Sequence, residues 1–388
     1  MNQQLKKLYD IALKPERRVI GLMSGTSLDG LDIALCKISE HGLNSKVIVE
    51  HSETISYNDA IKNHIREIFA KENIEFEKLS SLHTLIALAH AKMVMEFLQR
   101  NNVVANEIDL IASHGQTVYH SPGSSTFQIG DGDHLAFHTG IITVSDFRQK
   151  HVAAGGEGAP LAVYGDRILF SKQDENRLLL NIGGIANFTF LPGNDQLKVI
   201  CTDTGPGNTL MDAFIRKNKP GEFFDQSGNY AASGKVNDTF LKALRANDFF
   251  KQPFPKTTGP ELFNENYIEG SIQKSNATQL SFEDIISTLN QFSADTIVEA
   301  IRICLISTEN LNVFVSGGGS YNDVLMQRIK EQLSGCKFSS IDELGIDAGA
   351  KEAVLFAVLA NECVCGAPWG DESQGIPEVL MGKISFPN

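Results

Sequence analysis

Residues 18–37, RVIGLMSGTSLDGLDIALCK, place two apolar runs on either side of a turn rich in Gly, Ser and Asp. Each run has the composition of a strand, so the stretch predicts a β-hairpin at the head of a domain. Glycines in such a turn allow close backbone approach to a phosphate, while Thr26 and Ser27 offer hydroxyl and N–H donors. Taken alone, the stretch is better explained as an ordinary Asp-Gly hairpin.

Two further Gly-rich turns follow along the chain. NIGGIAN (181–187) lies between two predicted strands and puts Gly183 and Gly184 where a phosphate could approach the backbone. SGGG (316–319) follows a short apolar strand and precedes a helix. In this order the three turns resemble the two phosphate loops and the adenosine loop of the actin, hexokinase and sugar kinase superfamily. The Walker-A and Rossmann patterns are both absent, which disfavours those nucleotide folds.

The chain is predicted to fold into two lobes. At 388 residues it is too long for one ordinary core, and roughly one domain per 150 residues suggests two. The first lobe is expected to cover residues 1–140 with a C-terminal segment of about 350–388, and the second to cover 141–349. Apolar spacing predicts helices at 60–69, 82–98, 282–307 and 350–361, and strands at 109–113, near 141, and at 177–182, 186–191, 198–202 and 313–316. The expected fold class is α/β, a two-lobed actin-like (ribonuclease H-like) fold with an interlobe cleft.

Composition narrows the class of partner. The formal net charge of −13, without clustered Lys and Arg, argues against nucleic acid and anionic membranes. No stretch approaches the roughly 18 apolar residues of a membrane span, and the N-terminal segment lacks a signal-peptide pattern, so a cytoplasmic protein is expected. The six cysteines are scattered without C-x-x-C spacing and are interpreted as reduced packing residues.

The passage DTGPGN (203–208) is the sharpest local signal in the sequence. Asp203 ends a predicted strand beside a Gly-Pro-Gly turn that opens a helix at about Asn208. A carboxylate there can take a proton from a hydroxyl or from water, and the helix start favours a nearby anion. The alternative is that Asp203 only caps the turn, a common duty of Asp.

Several motifs together resemble the anhydro-N-acetylmuramic acid kinase family over about residues 19–357. They are GLMSGTSLDGLD, SHGQT, QIGDG, DFR, AAGGEGAPL, NIGGIAN, DTGPGN and SGGG. The resemblance implies that Asp203 is the catalytic base and that Asp29 holds magnesium. The implied ATP-binding residues are Gly25, Thr26, Ser27, Leu28, Asp29, Gly30, Leu31, Asp32, Gly183, Gly184, Gly317, Gly318 and Gly319. The implied sugar-binding residues are Ser113, His114, Gln116, Asp146, Arg148 and Asn208.

The reaction that the resemblance implies uses ATP and Mg²⁺. The base activates water to attack the anomeric carbon of an anhydro sugar while O6 of the sugar takes the γ-phosphoryl group. Phosphoryl transfer to O6 then replaces the second carboxyl group of ordinary glycoside hydrolysis. A homodimer is plausible by the same resemblance. Two alternatives stay open: a plain sugar kinase of the same fold, and an ATP-switched actin-like assembly protein.

Two positions depart from the family pattern. DFRQKH and GGEGAPL stand where the family usually has DFRRRD and GGQGAPL, which brings in His151 and Glu157. Beside the sugar's carboxylate, Glu157 would repel it and a protonated His151 would attract it. His151 is expected to be a surface loop residue. His83 and His90, on a predicted helix, are expected to be packing or surface residues because no metal-binding spacing accompanies them.

Overall fold

The computed structural model describes residues 2–25, 28–71, 73–194, 196–276, 278–305, 307–347 and 349–388. The strands are β1 (Glu16–Ser24), β2 (Gly30–Ser39), β3 (Lys46–Ser56), β4 (Leu110–Ser121), β5 (Ser125–Ile129), β6 (Ile142–Ser145), β7 (Arg177–Ile182), β8 (Ile185–Leu191), β9 (Ile200–Pro206), β10 (Asn312–Ser316), β11 (Lys337–Ser340), β12 (Trp369–Asp371), β13 (Ile376–Val379) and β14 (Lys383–Ser385). The helices are α1 (Gln3–Ala12), α2 (Asp59–Ile68), α3 (Phe76–Arg100), α4 (Gly132–Thr139), α5 (Phe147–Ala153), α6 (Ala162–Phe170), α7 (Thr209–Asn218), α8 (Asn229–Ser233), α9 (Asp238–Leu244), α10 (Glu265–Ser275), α11 (Phe282–Cys304), α12 (Asp323–Gln332) and α13 (Lys351–Cys365).

The chain divides into two compact units. The first contains Met1–Phe170 and Ile346–Asn388, and the second contains Ser171–Gly345. The sequence-based boundaries, at residues 140 and 350, differ from this division. The strand near residue 141, expected to open the second lobe, is β6, which pairs in parallel with β4 inside the first unit. Helices α5 and α6 follow it in the same unit, so the first unit reaches Phe170.

The two units repeat one strand order. In the first, β1, β2 and β3 form an antiparallel meander, and β4 and β6 add in parallel on the other side of β1. In the second, β7, β8 and β9 form the meander, and β10 and β11 add in parallel on the other side of β7. This is the strand order of a ribonuclease H-like lobe. Its occurrence in both units confirms the predicted actin-like α/β class.

Helix α13 covers the first strand of the first unit. It is apolar on all sides and buried from Ala353 to Glu362, as expected of a helix enclosed by protein. A Cβ added at Gly21 of β1 would lie 1.8 Å from the carbonyl oxygen of Ala353. Only glycine permits this approach, which brings the first turn of α13 against the strand that leads into the first Gly-rich turn.

Local signals account for most predicted elements. Helix α7 begins directly after its cap residue Asn208, as the DTGPGN motif predicts. Helix α11 is capped by Ser281, whose side chain accepts the Asp284 N–H.

The six cysteines are free. No helix in the described ranges is long and apolar enough to cross a membrane.

Candidate active site

The second turn, Gly183–Gly184, joins β7 to β8 and is held by main-chain hydrogen bonds. The Gly184 carbonyl accepts the N–H groups of Gly207 (2.8 Å) and Thr209 (3.1 Å), and the Gly183 carbonyl accepts that of Asn208 (2.9 Å). A Cβ added at Gly183 would meet nothing closer than 3.5 Å, and one at Gly184 nothing closer than 3.7 Å. The turn therefore offers an open backbone surface of the kind that receives a phosphate.

The third turn, 316–319, packs against the end of the same strand β7. Gly317 has a φ of +84°, and a Cβ there would lie 2.6 Å from the Ile182 carbonyl oxygen. A Cβ on Gly319 would lie 2.2 Å from Cγ2 of Ile182. Gly318 is open, since its Cβ would meet nothing closer than Nδ2 of Asn208, at 3.8 Å. The second unit thus brings the second turn, the third turn and Asn208 together, as the motifs predict.

Asp203 lies in β9, next to a β-bulge. Asn187 of β8 pairs with Asp203 and Ala186 pairs with Gly205, so Thr204 is an extra residue on β9. Such bulges re-aim side chains and are common beside active sites. Asp203 is partly exposed, and its Oδ2 accepts the main-chain N–H of Thr258 at 2.8 Å. The carboxylate is therefore held by a donor from outside its own turn.

The sequence analysis did not identify the segment that supplies this donor as part of the site. Lys256 to Thr258 runs beside β9 without regular secondary structure, and the Asp203 N–H donates to the Lys256 carbonyl at 3.0 Å. None of the helices and strands predicted from the sequence covers this segment. The signal that could have found it is Lys-Thr-Thr-Gly (256–259), a compact polar run with a turn residue directly after Phe-Pro.

The first turn, residues 24–30, joins β1 to β2. Thr26 and Ser27 lie outside the described residues. Leu28 is buried with a φ of 60°, a strained conformation for a branched residue, and Asp29 is exposed. A Cβ on Gly30 would lie 2.3 Å from the Ile55 carbonyl oxygen, so β3 crosses the turn closely.

A buried chain of side chains supports the first turn. Nε2 of His90 lies 2.6 Å from the Tyr57 hydroxyl, which donates to Ser24 Oγ (2.8 Å). Ser24 in turn donates to Oε1 of Gln116 (2.5 Å), whose Nε2 donates to the Gly25 carbonyl (3.2 Å). These directions place the His90 proton on Nε2. Its Nδ1 is buried and has no hydrogen-bond partner in the part of the chain that the structure describes, and burial lowers the pKa of His90 to about 4.

In this series of hydrogen bonds, both Gln116 and His90 have identified partners. Gln116 is fully buried, and its amide holds the first turn. Its sugar contact stays a prediction. His90, expected to be a packing or surface residue, is a buried hydrogen-bonding group.

His114, which is buried, pairs with the half-buried Arg148. His114 Nδ1 lies 2.9 Å from the Gly115 carbonyl, and its Nε2 accepts from Nε of Arg148 at 2.9 Å. Both ring nitrogens are thus in use, and burial, with the Arg148 charge, holds the pKa of His114 well below its ordinary value. Arg148 also donates from Nη1 to the Gly158 carbonyl at 2.8 Å. The guanidinium is fixed in orientation by a neutral imidazole.

Three more predicted residues lie in the first unit. Ser113 is buried, with no hydrogen-bond partner for its Oγ among the described residues. Asp146 caps α5 with a φ of 56° and forms an ion pair with Lys383 of β14. Left-handed backbone at a non-glycine residue costs energy and is concentrated at functional sites. Leu31 is fully buried in β2 and serves the core.

The Glu352 carboxylate lies near a second carboxylate, Asp32, and near the Arg148 guanidinium. Glu352, at the start of α13, has a pKa raised by partial desolvation and by repulsion from Asp32, while Lys351 and Arg148 oppose the shift. Asp32 accepts the Thr54 hydroxyl at 2.6 Å. Sequence reasoning missed Glu352. A charged residue at the head of an otherwise apolar helix was the available signal.

The expectation for His151 is wrong. It is 3% exposed within α5, where its Nδ1 accepts the Gly158 N–H at 2.9 Å and its ring lies edge-on to Tyr164. Burial and the Arg148 charge lower its pKa to about 4, so it is neutral at pH 7 and cannot attract a carboxylate. The side chain of Glu157 is exposed.

Sequence comparisons with known proteins agree on one family. A family model described as "Anhydro-N-acetylmuramic acid kinase" matches residues 17–375. A protein of that name from Pseudoalteromonas atlantica is 48% identical over 100% of both chains. Another from Caldanaerobacter subterraneus subsp. tengcongensis is 38% identical over 98% of this chain and 100% of its own. The activator of the 2-hydroxyisocaproyl-CoA dehydratase from Clostridium difficile with bound ADPNP superimposes with a TM-score of 0.40 and 12% identity, over 89% of this chain and 96% of that chain.

Proposed function

This chain belongs to the anhydro-N-acetylmuramic acid kinase family, and on that premise we propose that it opens the 1,6-anhydro ring of anhydro-N-acetylmuramic acid with water and phosphorylates O6 from ATP. The product is N-acetylmuramic acid 6-phosphate, and the pathway is peptidoglycan recycling. One observation carries the proposal: Asp203 stands at a bulge beside the start of α7, with its carboxylate held by the Thr258 N–H.

The chemistry balances with Asp203 as the single protein base. Asp203 takes a proton from water, and the water oxygen forms a bond to C1 of the sugar. The C1–O6 bond breaks, O6 forms a bond to the γ-phosphorus of ATP, and ADP leaves. Because the phosphoryl group captures O6, no acid needs to protonate the leaving oxygen, in contrast to ordinary glycoside hydrolysis.

The second and third turns support the binding of ATP. The open surface at Gly183 and Gly184 admits a phosphate, and Gly318 leaves space beside Asn208 for the adenosine. The positive end of α7, just beyond Asn208, favours an anion. Mg²⁺ fits the exposed Asp29 carboxylate, since this ion prefers carboxylate and phosphate oxygens. Bound there, it would neutralise charge on the phosphates.

Arg148 is proposed to bind the carboxylate of the muramic acid. Its guanidinium is oriented by His114 and by the Gly158 carbonyl, and an oriented guanidinium recognises a carboxylate well. In this proposal His114 acts through Arg148, because its two ring nitrogens are already engaged. Ser113 and Asp146 are proposed to border the sugar.

We also propose a cytoplasmic location, where ATP is available, and a homodimer. Size-exclusion chromatography with light scattering tests the second. A mass of twice 42.4 kDa is expected, and the monomer mass would remove that part of the proposal.

The reaction in heavy-oxygen water tests the function. Purified enzyme, ATP, Mg²⁺ and anhydro-N-acetylmuramic acid should yield product with one solvent oxygen at C1, detected by mass spectrometry, with simple hexoses as the control panel. Phosphorylated sugar without the label would favour a plain sugar kinase. ATP-dependent filaments in light scattering, without any phosphorylated sugar, would favour the assembly protein.

A further inference from the structure

Lys256 is a buried cation that the proposed chemistry does not use. The residue is 8% exposed. Its ammonium donates to the Phe249 carbonyl at 3.0 Å and lies 4.4 Å and 4.2 Å from the ring centroids of Phe249 and Phe254. Phe250 is a third ring, at 5.8 Å. Among the described residues no carboxylate pairs with this ammonium, and the Phe249 carbonyl and the aromatic rings are its partners instead. Burying a charge is costly, and aromatic faces recover part of that cost.

The backbone of Lys256 joins this anchor to the strand of the base. Its N–H donates to the Thr202 hydroxyl at 3.0 Å, and its carbonyl accepts the Asp203 N–H, also at 3.0 Å. Two residues later the Thr258 N–H reaches the Asp203 carboxylate at 2.8 Å. Residues 256–258 therefore form a short strap along β9, with one end fixed by the Lys256 side chain and the other on the base.

Besides the Lys256 side chain, the strap is held by hydrogen bonds to Thr202 and Asp203 of β9. Its residues have no regular secondary structure. An N–H donated to a carboxylate is a charge-assisted hydrogen bond, and it is effective only while the donor stays in place. A directed ammonium contact fixes the strap in one register, which apolar packing alone does not do.

We propose that Lys256 is a positioning residue for Asp203: by anchoring the strap it keeps the Thr258 N–H on the carboxylate, which holds the base ionised and correctly aimed. This rests on the proposed function, in which Asp203 must accept a proton from water. The ammonium itself touches no substrate.

The kinetic test compares Lys256→Met with Lys256→Arg and Lys251→Met across pH. Lys256→Met keeps the apolar stem and removes the cation, whereas Lys256→Arg restores a donor and a charge. Lys251 is an exposed lysine nearby, paired with Asp248, and serves as the matched charge-loss control. In Lys256→Met the acid limb of kcat should move up by about one pH unit, because a carboxylate that has lost its N–H donor binds a proton more readily.

On that limb, kcat should fall roughly 10-fold while KM for ATP stays within about twofold, and the loss should largely disappear at alkaline pH. Lys256→Arg should restore most of the profile, and Lys251→Met should match the wild type. A loss of kcat that is equal at every pH, or an unmoved limb, would show that Lys256 serves stability alone and would overturn the proposal.

Hydrogen exchange provides a readout that needs no turnover. The peptide containing Thr258 should exchange about 10-fold faster in Lys256→Met than in wild type or Lys251→Met. Unchanged exchange would overturn the anchor even if the enzyme proved to act on another sugar. If Lys256→Met does not fold, Thr202→Val removes the hydroxyl that bonds the main chain of Lys256, leaves the bond from the Asp203 N–H in place, and should shift the limb in the same direction. A wild type that is inactive on the anhydro sugar would count against the proposed function, and exchange would still decide the anchor.

Discussion

The two units place a Gly-rich turn at equivalent points of their two sheets, yet they hold it differently. The first turn is supported by a relay of buried side chains that ends on the Gly25 carbonyl. The second turn is supported by main-chain N–H groups of residues 207–209. Repeated topology therefore does not imply repeated support. The first turn depends on residue identity at scattered positions, and the second depends on the backbone of one short motif.

The largest effect should come from a change that leaves both turns intact. Asp203→Asn keeps an oxygen for the Thr258 N–H and removes the base, so turnover should fall by roughly 100-fold or more while ATP and sugar binding persist. Turnover assays paired with calorimetric binding check this. Near-normal turnover would remove Asp203 from the role of base and place the chemistry elsewhere.

Gly207→Ala should break the main-chain support of the second turn. Its Cβ would lie 2.4 Å from the Gly183 carbonyl oxygen, which the backbone must relieve by moving. Overpacking of this kind should lower the free energy of unfolding by about 2 kcal/mol and raise KM for ATP. Gly184→Ala is the contrast, since its Cβ meets only Thr209 Cβ, at 3.7 Å. It should leave denaturant unfolding unchanged but still raise KM for ATP. Equal stability of the two variants would contradict the proposed support.

Lowering the pH should destabilise the side-chain support of the first turn more than the main-chain support of the second turn. The pKa of His90 is lowered to about 4 in the folded protein, against an ordinary value near 6.5. The unfolded chain therefore binds more protons between these values, and the free energy of unfolding falls as pH falls from about 6.5 to 4. The loss attributable to His90 should reach about 2 kcal/mol at pH 5.

Hydrogen exchange corrected for intrinsic rates can locate that loss. At pH 5 the strands around the first turn should open more readily than at pH 7, and those around the second turn should change less. His90→Asn should flatten the pH dependence. The pKa values of His114 and His120 are also lowered, and that of His151 is lowered to about 4, so these residues contribute to the first unit in the same direction. Their single Asn variants are therefore needed beside His90→Asn. Equal protection loss in the two units would contradict the assignment.

The smallest effect should follow from Tyr57→Phe. The ring stays and the hydroxyl that links His90 to Ser24 is lost, so two buried groups lose a partner. Denaturant unfolding should show a loss of about 1 kcal/mol. KM for ATP should rise modestly if the relay positions the first turn. An unchanged KM would restrict the relay to a role in stability.

The two supports also explain what the sequence could predict. The turn at Gly183 and Gly184 and the helix start at Asn208 were predicted because their geometry is set by adjacent residues and by glycine itself. Tyr57 and His90 were not assigned to the first turn, because they stand far from it in the chain and no local pattern links them. Lys256 was missed for the same reason, since its strap acts on β9 from a stretch without periodicity.

His151 shows the opposite error. A histidine after Gln and Lys has the composition of a surface loop, but α5 turns the ring inward, where the Gly158 N–H caps it. Composition describes the neighbours in sequence, whereas burial depends on neighbours in space. The strand near residue 141 was expected to open the second lobe, but it pairs with β4, a strand of the first unit.

The first unit is built from two separate stretches of chain, and this has a consequence for biosynthesis. The ribosome completes Ser171–Gly345 before it makes α13 and β14. The second unit can thus form its hydrophobic core before the first unit is complete. At that stage the first unit still lacks α13, which packs against Gly21, and β14, which pairs with β6. A nascent chain should therefore acquire order in its middle before its beginning, contrary to the usual N-terminal-first sequence of events.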